Sequence, residues 1–206
     1  MNKMILGATL VAIAALVGSP ILAEAITEIK GVRVQMDDDG NFKGILFKTL
    51  DVVPQEGLAI PGGYAIQTEN GDFIAVTSHS GILDSEAQLD KFDAIWHSHL
   101  VKVSKNGSCA DLTIAALSFE EPSSMVNVRG NNILVKAIAN GTATYIDAIS
   151  EKTLEFTVGN PVGKAFIIES ISFDLYQAED ETICIDVITH EVWPLAASTG
   201  KHIIPR

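Results

Sequence analysis

Hydrophobic and polar residues alternate with a period of two along most of the chain after residue 25, the spacing of side chains on a β-strand. "GVRVQM" and "FKGILFKTL" flank "DDDGN", which predicts a hairpin turning at Asp39-Gly40. A second hairpin is predicted where "YAIQT" and "DFIAVTSH" flank Glu69-Asn70-Gly71. Further strand-like runs are "DLTIAALSF", "ILVKAIA", "ATYIDAI", "TLEFTV", "KAFIIESISFDLY" and "TICIDVITHEVW". In "KAFIIESISFDLY", Ala165, Ile167, Glu169, Ile171, Phe173 and Leu175 share one face, and the other face is mostly polar. That pattern predicts one dry side and one wet side, as in an antiparallel sheet.

Only "SEAQLDKF" predicts a helix, a short one near 85–92, with Ser85 and Gln88 at capping-box spacing. Roughly ten to twelve short strands with turn signals between them predict an all-β fold, an antiparallel β-sandwich of Ig-like or jelly-roll-like kind. With no linker, low-complexity tract or repeat in the sequence, residues 26–206 read as a single domain.

The first 25 residues stand apart from that pattern. Lys3, an apolar run from Ile5 to Val17 and the small-x-small ending Ala23-Glu24-Ala25 follow the order of a secretory signal peptide. The apolar run is shorter than the ~20 residues that span a bilayer. Cleavage leaves a mature chain from Ile26, with no integral membrane span expected. The expected location is secreted or extracytoplasmic: periplasm, pseudoperiplasm or cell surface.

An exported chain changes the reading of its two cysteines. In an oxidising compartment Cys109 and Cys184 are expected to pair as a disulfide. Two sequons, at Asn106 and Asn140, fall in predicted turns and are candidate glycosylation sites. The formal charge of −12, from 26 acidic against 14 basic residues, repels phosphate backbones and anionic lipid. Nucleic acid is therefore not an expected partner, and an unidentified protein or cell-surface partner is.

Chemistry concentrates at "AIWHSHLVKV". As a strand it places Ile95, His97, His99, Val101 and Val103 on one face, and Ala94, Trp96, Ser98, Leu100 and Lys102 on the other. The histidine face is the one expected to be buried, although Trp96 and Leu100 also favour burial. Two neighbouring buried imidazoles need several polar partners in a small volume. A zinc or copper ion meets that need by taking one nitrogen from each ring. His79 and His190 are the candidate further ligands, with Asp93 and Glu191 as neighbouring carboxylates. The bland alternative is a pair of histidines hydrogen-bonded to backbone and hydroxyl groups. A cupin pattern would need a glycine where Lys91 stands and a glutamate where Val103 or Ser104 stands, and the chain is assigned to no family on this motif.

Other motifs carry less. Asp37 and Asp39 in "MDDDGNF" offer calcium ligands, but the distant bidentate glutamate of an EF-hand is missing, so a solvated turn is preferred. Ser78, His79, Ser80 and Asp84 lie close in sequence, yet Gly-x-Ser-x-Gly is absent, and adjacent strand residues point to opposite faces. No Gly-rich phosphate loop follows a strand and opens a helix. The expectation is an exported, non-catalytic β module with copper or zinc at the His-x-His strand. The alternatives are a structural or adhesive surface domain without metal, and a metal-dependent extracellular enzyme.

Overall fold

The computed structural model describes residues 26–36, 42–58, 60–68, 70–78, 96–105, 108–118, 125–136, 141–158 and 167–194. Residues 1–25, the segment predicted helical and the residues after 194 lie outside these. In chain order the strands are β1 (Ile29–Met36), β2 (Phe42–Thr49), β3 (Gly62–Gln67), β4 (Phe73–Ser78), β5 (His97–Ser104) and β6 (Leu112–Leu117). They continue with β7 (Met125–Arg129), β8 (Asn132–Lys136), β9 (Gly141–Ile146), β10 (Thr153–Val158), β11 (Ile167–Gln177) and β12 (Ile183–Pro194). The described residues contain no helix.

The strands of both predicted hairpins pair, while the Asp39-Gly40 turn of the first lies outside the described residues. β1 and β2 pair antiparallel, and so do β3 and β4. The second turn closes through Thr68 N–H on Asp72 O at 2.8 Å and Gly71 N–H on Thr68 O at 3.0 Å. Gly71 takes φ +87° there, a conformation in which a side chain would be strained.

The all-β, antiparallel expectation holds, but the sandwich gives way to a closed barrel. Six strands form the ring in the order β11-β12-β6-β5-β4-β3, closed by β11 pairing with β3. A four-stranded sheet, β1-β2-β8-β7, and the two-stranded β9-β10 hairpin complete the architecture. Closure depends on the pairing Phe173↔Gly63, between segments far apart in sequence, and alternation does not encode that choice. The close approach needs glycine: a Cβ on Gly62 would lie 2.6 Å from the Phe173 carbonyl oxygen.

Two cores result. One lies between the four-stranded sheet and the outside of the barrel, where Phe47, Tyr64 and Trp96 pack in series with ring centres 5.9 and 6.0 Å apart. Burial there pushes the Tyr64 hydroxyl up to about 12, against the opposing effect of the Thr27 N–H that bonds it. The second core is the barrel interior, filled by residues such as Val101, Ile114, Ile171, Phe173 and Ile185. Its residual cavity is only about 30 Å³, roughly one water's share of liquid.

This arrangement revises the wet-face expectation for β11. Phe173 and Leu175 are buried, as expected for the dry side, but Glu169 of that side is exposed, and Ile168, Ser170 and Ser172 on the other face are fully buried. The two serines are satisfied locally: Ser170 Oγ accepts the Trp193 indole N–H at 2.8 Å, and Ser172 Oγ lies 2.7 Å from Thr189 Oγ1. A polar face of small hydroxyls here fits packing between β-layers, not exposure to water.

Candidate functional site

β5 is buried on both faces along its first five residues, which resolves the competing signals of its sequence. Trp96, Ser98 and Leu100 face the sheet-side core, while His97, His99 and Val101 face the barrel interior. The partners of His97 and His99 across β4 are Thr77 and Ala75. Both imidazoles are deeply buried, at 2% and 1% exposure, and their ring centres lie 4.6 Å apart in an edge-on arrangement. Parity alone would place the two Cα atoms about 7 Å apart along the strand, so the rings lean toward each other.

His99 Nδ1 lies 2.8 Å from the Ser118 carbonyl oxygen. A carbonyl can only accept, so Nδ1 carries the hydrogen, and in the neutral ring the lone pair resides on Nε2. Ser118 also receives the Leu100 N–H on its hydroxyl at 2.9 Å, which locks the end of β6 against β5. Beside the imidazoles, Thr77 Oγ1 is buried with no hydrogen-bond partner among the described residues.

Ser118 is held in turn by Asp147, through an isolated bridge between the two residues. The Asp147 carboxylate is buried and accepts the N–H groups of Leu117 at 2.9 Å, Ile149 at 3.3 Å and Ser150 at 3.0 Å, together with the Ser150 hydroxyl. Burial opposes its ionisation, but those donors outweigh it and hold the carboxyl below its ordinary value. Neither Ser118 nor Asp147 stood out in the sequence. The signal that could have found Asp147 is "IDAIS", an Asp three residues before a Ser, the spacing of a side-chain-capped turn at the end of a strand-like run.

The remaining sequence candidates fall elsewhere. Cys109 and Cys184 form the expected disulfide, tying the segment before β6 to β12. Ser78 ends β4 with its hydroxyl accepting the Leu58 N–H at 2.8 Å. β5 and β12 run in the same sense, each antiparallel to β6 between them. His97 begins β5 and His190 lies late in β12, so the two sit toward opposite ends of the barrel. There His190 is about half exposed, with Nε2 3.4 Å from Glu169 Oε2. Glu191 is exposed. His79, Asp93, Asp37, Asp39, Asn106 and Asn140 lie outside the described residues. Among the described residues, no cluster of three His, Cys, Asp or Glu side chains is arranged to hold a metal.

The open end near His190 forms a surface cleft of about 750 Å³, bounded by Phe73, Lys105, Asp111, Leu112, Ile171 and Val187 among others. Comparison with known proteins yields no matching family model, curated protein or solved structure.

Proposed function

We propose that this chain is an exported, non-catalytic β-barrel module that holds a zinc or copper ion through His97 and His99. The observation that carries the proposal is the pair of buried imidazoles with ring centres 4.6 Å apart. Two rings sharing one tetrahedral ion have their centres roughly 5 Å apart, given metal–nitrogen bonds of about 2.1 Å. The bond from His99 Nδ1 to the Ser118 carbonyl supports the same reading, because metal-bound imidazoles commonly donate their other N–H to such a group. Thr77 Oγ1 supplies a buried oxygen next to the pair. His79, directly after β4 in the chain, is the proposed third imidazole, and His190, toward the other end of the barrel, is not part of the set.

The disulfide fits an oxidising compartment and so supports export. The non-catalytic reading draws on the barrel interior, whose cavity of about 30 Å³ leaves no room for a substrate beside the rings. A structural role for the histidines is the second reading, favoured by the same bond to Ser118.

Elemental analysis of the full chain, purified without a histidine tag, separates the two. The metal reading expects about one zinc or copper per chain, lost in His97→Ala and His99→Ala, and a melting temperature lowered by EDTA. A chain that takes up neither ion when both are supplied, and melts identically with EDTA, leaves the histidines structural.

A further inference from the structure

We propose that the cleft at the other end of the barrel binds a small organic carboxylate with an apolar body. The cleft is about 750 Å³, within the range of small-molecule sites. Its apolar floor comprises Phe73, Ile171, Leu112 and Val187, all of which belong to or pack against the interior core. Phe73 and Ile171 also line the internal core, so the apolar floor is backed by packed residues and does not need to form on binding.

The polar groups around this floor are unequally committed. Asp111 Oδ2 accepts the Val187 N–H at 2.9 Å, and Glu169 Oε2 lies against His190 Nε2. Both carboxylates thus already face a donor. Lys105 on the wall is exposed and has no carboxylate within ion-pair distance among the described residues. On the same strand, Lys102 is by contrast held by Asp72 at 3.2 Å and lies over the Phe156 ring. On a chain of net charge −12, an uncommitted ammonium beside an apolar floor selects an anionic head and an apolar tail. Cys109, fixed by its disulfide to Cys184, also lines the cleft and pins the wall that follows Lys105. This inference does not depend on the imidazole pair.

Methyl NMR titration of the full chain with octanoate, and with octylamine as the cationic counterpart, tests it. Saturable shifts of the Leu112, Ile171 and Val187 methyls are expected with octanoate, and weaker ones with octylamine. Lys105→Glu should weaken octanoate by about tenfold, the effect of turning one exposed attraction into a repulsion. Ala110→Trp, which fills the cleft from its wall and leaves Lys105 in place, should abolish the shifts while the other methyl signals stay unchanged. The proposal is overturned by octanoate shifts that do not saturate or that map elsewhere. It is equally overturned by octylamine binding as tightly, or by octanoate affinity unchanged in either variant.

Discussion

Replacing Asp147 by alanine removes one of the groups that join the β9-β10 hairpin to the barrel. The carboxylate accepts the buried Leu117 N–H at 2.9 Å, and alanine leaves that donor with neither water nor a partner. A stranded buried N–H costs about 1–3 kcal/mol, and losing the charge-assisted bonds to Ser150 adds about 1–2 kcal/mol. The expected loss is roughly 3 kcal/mol, a large share of the 5–15 kcal/mol typical of a domain. The backbone bond from Ala148 N–H to Leu117 O, at 2.7 Å, survives the substitution, so the hairpin loosens before it detaches. Because the folded-state pKa lies below the ordinary 3.8, the ionised carboxylate stabilises the fold above that value. This contribution is lost as pH falls through the lowered folded pKa. The difference between wild type and Asp147→Ala should therefore be widest near neutrality and shrink in acid. Urea unfolding, followed by the fluorescence of the buried Trp96, measures it at about pH 7 and about pH 2.5. Amide exchange at Leu117 reports local opening. A difference under about 1 kcal/mol at neutral pH, or an equal one at both pH values, would refute the assignment of Asp147 as an ionised anchor.

Three further outcomes are expected. Asp174 has a buried Oδ1 without a partner among the described residues and stands directly across from Asp186; burial first, and then that neighbouring charge, push its carboxyl up. Asp174→Asn should raise stability by up to about 1 kcal/mol near neutral pH, with the gain vanishing in acid once the wild-type carboxyl is protonated, as thermal melts across pH will show. Gly62→Ala, whose new Cβ would meet the Phe173 carbonyl oxygen at 2.6 Å, should lose about 2 kcal/mol or more in chemical denaturation; an unchanged midpoint would contradict the closure geometry. Replacing both Cys109 and Cys184 by serine opens a 75-residue loop and should cost roughly 4 kcal/mol on the chain-entropy estimate, measurable as a drop in melting temperature that added reductant does not deepen.

Local pairing was legible in the sequence, and global closure was not. The two hairpins could be read because turn residues and alternation sit together within about twenty residues. The disulfide partners could be read because there are only two cysteines. The barrel could not, since Phe173↔Gly63 and Ile185↔Leu112 join segments whose own patterns would suit two open sheets equally well. The apolar residues on both faces of β5 look like noise if one side is assumed wet. They are what a barrel strand covered by a second sheet requires, with β4 showing the same double burial from Phe73 to Ser78. The serines of β11 mislead for the complementary reason: polarity suggests exposure, whereas hydroxyls paired with Trp193 and Thr189 are satisfied inside.

The same double burial decides how an imidazole can reside on β5. In an open sandwich with a solvated outer face, an inward histidine has the opposite sheet as its polar neighbourhood. In a closed barrel of this size the interior holds little but apolar side chains, so a ring nitrogen must find its partner in backbone at a strand end. Ser118 provides it, because β6 ends there and its carbonyl turns toward His99 rather than continuing the ladder. Ser118 is held by three attachments: its N–H donates to the Leu100 carbonyl at 2.9 Å, its hydroxyl accepts the Leu100 N–H, and a backbone bridge joins it to Asp147. The hydrogen on His99 Nδ1 is thus held by a carbonyl whose chain neighbour, Leu117, donates its N–H to a carboxylate on a different hairpin. Loosening that hairpin should release the ring before it unfolds the barrel, so Asp147→Ala is expected to change the imidazole NMR signals of His99 under conditions where the core methyl resonances remain native.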